Sequence, residues 1–126
     1  MATSGIEIRA LPSIPMVRAG DDLVSIIAGG IARADLAPRD GDVLVIAQKV
    51  VSKAEGRSVD LATVTPSDEA IKLAAEIQKD PRLVHLILSE SVRVVRARPN
   101  VLIVEHKLGF VMANAGIDQS NVANPD

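Results

Sequence analysis

The segment Asn114-Ala115-Gly116-Ile117-Asp118-Gln119-Ser120-Asn121 places four polar side chains in a row behind small, permissive residues. It follows Gly109-Phe110-Val111-Met112-Ala113, an apolar run that reads as a buried strand. A carboxylate such as Asp118, on a small-residue turn at a strand end, is a hard oxygen donor of the kind that holds metals and phosphates. Asp, Asn and Ser also favour turns and caps for purely local reasons, so a plain polar loop accounts for the same residues. A second cluster, Gln48, Lys49, Ser52, Lys53, Glu55 and Arg57, follows the apolar run Val43-Leu44-Val45-Ile46-Ala47. Lys49 and Lys53 are point charges suited to phosphate; a solvated hairpin with ordinary surface lysines is the alternative. A third candidate is Leu11-Pro12-Ser13-Ile14-Pro15. Its prolines fix φ and push the preceding residues out of the helical region, which makes an extended loop able to present backbone groups to a ligand or merely to connect. His85 has Ser89 rather than a ligand-type residue at i+4 and reads as structural. His106 lies in a turn, where exposed histidines are usually neither ligand nor base.

The elements that must position these residues follow from periodicity and punctuation. Ile6 to Ala10 alternates as a half-buried strand does. Gly20-Asp21-Asp22 opens a helix with Asp21 as N-cap, and Leu23, Ile26, Ile27 and Ile31 share one face. Gly29-Gly30 inside that pattern marks a place for the helix to break. Val43 to Ala47, apolar throughout, predicts a central strand buried on both faces. Thr65-Pro66-Ser67-Asp68 reads as a helix start capped by Thr65, with Ala70, Leu73, Ala74 and Ile77 as its apolar face. Asp80-Pro81 starts another helix, carrying Leu83, Val84, Ile87 and Leu88. Val92 to Arg98, the doubly buried run Val101 to Val104, and the strand before Asp118 predict an antiparallel meander. The expected fold class is α+β: a mixed sheet with an antiparallel meander and about three helices.

Composition narrows the function. The 126 residues suit one domain with a real core, and that core must be aliphatic, since Phe110 is the only aromatic residue. Base stacking on single-stranded nucleic acid is thereby nearly excluded, and a net charge of -2 offers no footprint for a duplex. The absence of cysteine removes disulfides and thiolate metal sites and suits a reducing cytosol, so a cytoplasmic location is expected. No apolar run approaches the ~20 residues of a membrane helix, and Met1-Ala2-Thr3-Ser4-Gly5 lacks the basic and apolar regions of a signal peptide.

The segments together resemble one family. Leu11-Pro12-Ser13-Ile14, Gly20-Asp21-Asp22-Leu23, Gly41-Asp42-Val43-Leu44-Val45 and Val51-Ser52-Lys53-Ala54-Glu55-Gly56-Arg57 occur in order. Pro66-Ser67, Asp80-Pro81-Arg82, Val101-Leu102-Ile103-Val104-Glu105, Gly109-Phe110-Val111 and Asn114 to Val122 follow. This set resembles the coenzyme F420 gamma-glutamyl ligase family over nearly the whole chain. The resemblance implies a GTP-dependent ligase that adds L-glutamate to the deazaflavin precursor coenzyme F420-0 and then gamma-linked glutamates. It further implies an acyl-phosphate intermediate, Mg²⁺ or Mn²⁺ with K⁺ as a further candidate, and a homodimer.

By the same resemblance, Leu11, Pro12, Ser13 and Ile14 form a loop against the nucleotide. Gln48, Lys49 and Asn121 are GTP contacts, Lys53 is the nucleotide-binding lysine, and Asp118 is a metal ligand. Lys53 and Asp118 are the catalytic expectations, because phosphoryl transfer rests on positioning and on neutralising developing charge. Family chains run on for about as long again and carry further metal carboxylates there. Residues 1–126 therefore correspond to an N-terminal part, expected to be incomplete for catalysis alone. The alternatives are a non-catalytic fragment that dimerises or binds nucleotide weakly, and an interaction domain without a ligand.

Overall fold

A computed structural model describes residues 4–119, and the chain divides between Ser58 and Val59 into two compact units, the Met1–Ser58 unit and the Val59–Asp126 unit. In the first unit, α1 (Leu23–Arg33) starts where Asp22 accepts hydrogen bonds from the amides of Val24 and Ser25 at 3.0 and 3.2 Å. Asp21, the expected cap, instead accepts from the Arg18 amide at 2.7 Å in the turn before the helix. Hydrogen bonds from Ser25 hold the Asp22 carboxyl below its usual range, the side-chain hydroxyl contributing most. The helix runs through Gly29-Gly30 without a break.

α2 (Gln48–Ala54) is a short helix, which rules out the solvated hairpin that stood as the alternative for this segment. Its Val50 and Val51 are half-buried, while Gln48 and Lys49 face solvent. Two predicted strands of this unit do not form. Neither Ile6–Ala10 nor Val43–Ala47 joins a ladder, and Val43 to Ile46 are exposed rather than buried on two faces. An apolar run becomes a central strand only when partners flank it, and the described residues supply none here.

The second unit holds the core. After a 3₁₀ turn at Leu61–Thr63 come α3 (Asp68–Ile77) and α4 (Pro81–Ser89). Ser67, not Thr65, caps α3, its hydroxyl accepting from the Ala70 amide at 3.2 Å. Asp80 caps α4 with Pro81 in the first turn, as the sequence predicts. His85 Nδ1 accepts from the Ser67 amide at 3.3 Å and so ties α4 to the start of α3.

The sheet is β1 (Ser91–Arg98), β2 (Val101–His106) and β3 (Val111–Ala113) in that order, antiparallel throughout. The class is α+β as expected, but with four α-helices and a purely antiparallel sheet among the described residues rather than a mixed one. Ala97 faces Leu102 and Val104 faces Met112, with register shifts near Arg93 and Val94. Pro99-Asn100 turns β1 into β2; Asn100 is left-handed at φ 63, and its amide donates to the Ile77 carbonyl at 2.7 Å.

Ala70, Ala74 and Ile77 of α3, Leu83, Val84 and Ile87 of α4, Leu102 and Val104 of β2, and Ala115 make the core. β2 thus buries one face, with Val101 exposed, rather than both. β3 is a short strand whose Val111 and Ala113 are exposed. At the β2–β3 turn His106 Nδ1 accepts from the Leu108 amide at 3.0 Å and the ring stacks on Phe110 at 4.5 Å, so His106 shapes the turn.

Candidate functional site

In the Met1–Ser58 unit, the loop Leu11–Ile14 is seated against α1. A Cβ added to Gly30 would stand 2.7 Å from Ile14 Cδ1 and 3.8 Å from Leu11 Cβ. The second glycine of Gly29-Gly30 is therefore explained by close approach of the loop, which a larger residue would obstruct. Ser13 takes the left-handed conformation at φ 60, and its carbonyl accepts from Arg33 Nη2 at 3.2 Å. Loop and helix are fastened by one apolar contact and one charged hydrogen bond. The sequence pattern did not reveal Arg33 or Gly30. A basic residue in a last helical turn reads as a partner of the helix dipole, and a mid-helix glycine reads as a weak point.

Lys53 sits in the last turn of α2 and is half-buried. That turn is closed by the Gly56 amide on the Lys53 carbonyl at 3.0 Å and the Arg57 amide on Ser52 at 2.9 Å. Gly56 is left-handed at φ 63, the C-terminal device glycine serves best. The Gly20 amide adds a bond to Ala54 at 2.9 Å, so the segment before α1 also anchors the end of α2. The unit thus holds Gln48, Lys49 and Lys53 on one helix, α2, and Leu11–Ile14 on one braced loop.

In the Val59–Asp126 unit, β3 passes into a 3₁₀ turn at Asn114–Gly116. Asn114, Ala115 and Gly116 are all left-handed, at φ 54, 52 and 75. Each non-glycine residue in that region costs about 1 kcal/mol. Packing offsets the cost at Ala115, whose methyl lies in the core, and the Ile117 amide closes the turn on the Asn114 carbonyl at 2.9 Å. Ile117 packs against the core, which leaves Asp118 at the surface beside an anchored residue. Asn114 Oδ1 is shielded from solvent and has no hydrogen-bond partner among the described residues.

Three permissive residues before Asp118 were legible as a turn; that the turn hangs from the core through Ala115 and Ile117 was not. Ser120 and Asn121, the latter an expected GTP contact, lie outside the described residues. Among the described residues no three of His, Asp and Glu gather as a metal site requires. The donor set present, Asp118, fits one ligand position and not a complete site. Chemically, the Met1–Ser58 unit offers a braced loop and a half-buried lysine, and the Val59–Asp126 unit an exposed aspartate.

Residues 12–126 match the family model described as F420-0:Gamma-glutamyl ligase. The chain is 42% identical over 118 residues to the coenzyme F420:L-glutamate ligase of Methanothermobacter thermautotrophicus, covering 94% of this chain and 47% of that one. It is 46% identical over 116 residues to that of Methanopyrus kandleri, covering 92% and 44%. To that of Halorubrum lacusprofundi it is 42% identical, covering 96% and 48%. The chain spans about half the length of the curated relatives it matches.

Proposed function

The chain belongs to the F420-0:gamma-glutamyl ligase family, and on that premise we propose that it contributes the nucleotide-facing part of a GTP-dependent ligase. The acceptor is coenzyme F420-0, the amine is L-glutamate, and gamma-linked glutamates follow. A carboxylate is a poor electrophile. The precursor's terminal carboxylate attacks the γ-phosphorus of GTP, the bond to GDP breaks, and an acyl phosphate forms. The glutamate amine then attacks the acyl carbon, the bond to phosphate breaks, and the amine releases a proton.

The chain's own residues bind and orient in this scheme. Leu11, Pro12, Ser13 and Ile14 hold the nucleotide from the loop that Arg33 and Gly30 brace. Lys53 places its ammonium toward phosphate oxygen, where charge develops during transfer. Gln48, Lys49 and Asn121 are assigned further GTP contacts. Asp118 is assigned one ligand position for Mg²⁺ or Mn²⁺, which when bound neutralises phosphate charge; K⁺ has no donors assigned. The assembly is a homodimer. Family membership over nearly the whole chain carries this reading, and the braced loop supports it. A second reading, a part that binds nucleotide without ligation, draws on the share of the relatives' length that is matched.

The test is thermal unfolding of the chain with and without GTP plus Mn²⁺, because a ligand of the native state raises the midpoint by mass action. A rise that Lys53→Ala and Asp118→Ala both remove is the expected result. A rise that survives both substitutions rejects these two assignments, and no rise rejects nucleotide binding by this chain alone. Glutamate addition to F420-0 by the purified chain separates the ligase reading from the binding-only one.

A further inference from the structure

The Met1–Ser58 unit carries the parts of an α/β layer without a core. Among its described residues only Gly30 is fully buried. Val43, Leu44, Val45 and Ile46 are strand-type residues in series. Leu44 and Ile46 line an apolar groove of about 330 Å³ with Leu23, Ile27 and Ile31 of α1. Val43 and Val45 alternate with them and are 83% and 87% exposed. Residues 43–46 make no backbone–backbone hydrogen bond among the described residues. The run has a strand's alternation, one partly covered face and no ladder. Ile6 and Ile8 are a second bare pair, 93% and 91% exposed. An uncharged, unpaired strand-like edge is a template for another strand.

We propose that Val43–Ala47 is a docking edge for one occupant: the stretch of polypeptide that the curated relatives carry beyond the part this chain matches. Length argues for it. The Methanothermobacter relative has more than half its length unmatched, enough to supply a strand and a covering layer. The unit's composition argues for it as well. Nine buried apolar residues of the other unit form a core, whereas here apolar side chains stand ready without one. A second copy would bring the same coreless unit, with one buried residue among those described, and no layer to cover the groove. The docked strand hydrogen-bonds along residues 43–47, and apolar side chains from the same polypeptide fill the groove against α1 and cover Val43 and Val45. The proposal is independent of nucleotide binding and of ligation.

The test mixes the 126-residue chain with separately expressed polypeptides covering the unmatched remainder of the Methanothermobacter and Methanopyrus relatives. Light scattering reads stoichiometry, and amide hydrogen exchange reads residues 43–47. The expected result is a one-to-one complex in which those amides exchange at least about tenfold more slowly. Val45→Lys should abolish it while leaving the chain's own unfolding midpoint in place. Val95→Lys, at an exposed position of β1 in the other unit, should leave the complex intact. No complex with either polypeptide overturns the proposal. A complex in which 43–47 exchange as freely as before overturns it too, by placing the contact elsewhere. A self-associated chain whose 43–47 amides are already protected before mixing overturns it in favour of a second copy.

Discussion

Asp80 shows how much a single side chain does here. Its carboxylate caps α4 by accepting from the Arg82 amide at 2.8 Å and from the Arg82 guanidinium at 3.1 and 2.6 Å. The side-chain bond from Arg82, first, and the amide bond, second, lower its pKa to about 2. The two side chains are 33% and 43% exposed, so the ion pair is screened and the cap is the larger contribution. Because the folded pKa lies below the unfolded value near 3.9, the stabilisation is fully present above about pH 4 and is lost as pH falls toward 2. Asp80→Asn keeps a capping oxygen and removes the titration. Urea unfolding between pH 5 and pH 2 should therefore show a smaller loss of stability in the variant than in the parent chain. Equal losses would mean that this carboxylate does not carry its share of the acid sensitivity. Asp and Pro in succession were readable as a helix start; the guanidinium folding back two residues was not, since it depends on a rotamer rather than on spacing.

At the scale of elements, local signals succeeded where their partners are local. α4 and its cap, the turn at Pro99-Asn100 and the meander all depend on residues close in sequence. They failed by one or two positions where two candidates compete, as Asp21 with Asp22 and Thr65 with Ser67. Gly30 shows the opposite case. Helix propensity marks it as a fault worth about 1 kcal/mol, yet the loop Leu11–Ile14 uses the missing side chain. Gly30→Ala pits that gain in propensity against displacement of the Ile14 tip, which can swing aside. Net stability should change by less than about 1 kcal/mol, and under the proposed nucleotide role the rise in unfolding midpoint with GTP should shrink. An undiminished rise would separate the loop from the nucleotide.

For the whole chain, core and site are unevenly distributed. Ile87 is fully buried among α3, β2 and Ala115, and Ile87→Ala should cost about 2–5 kcal/mol by equilibrium unfolding. Val45 is 87% exposed, and Val45→Ala should cost under about 0.5 kcal/mol in the chain alone. A large cost at Val45 would show that the strand-like run is already covered in solution. Among the described residues no helix is long and apolar enough to cross a membrane.

The sequence by itself determined what short-range chemistry specifies. The family is written in the runs around Lys53 and Asp118, α1, α3 and α4 in their apolar spacing, the hairpin in Pro99-Asn100, and the mixture of helix and strand in their sum. Only the tertiary structure decided which apolar runs are inside. Val101–Val104 and Val43–Ile46 read alike, yet one packs Leu102 and Val104 under two helices while the other is bare. Burial depends on what lies opposite a segment, and that is fixed by contacts between residues far apart in the chain. The same reason hid the bracing of Ser13 by Arg33 and the anchoring of Asp118 through Ile117.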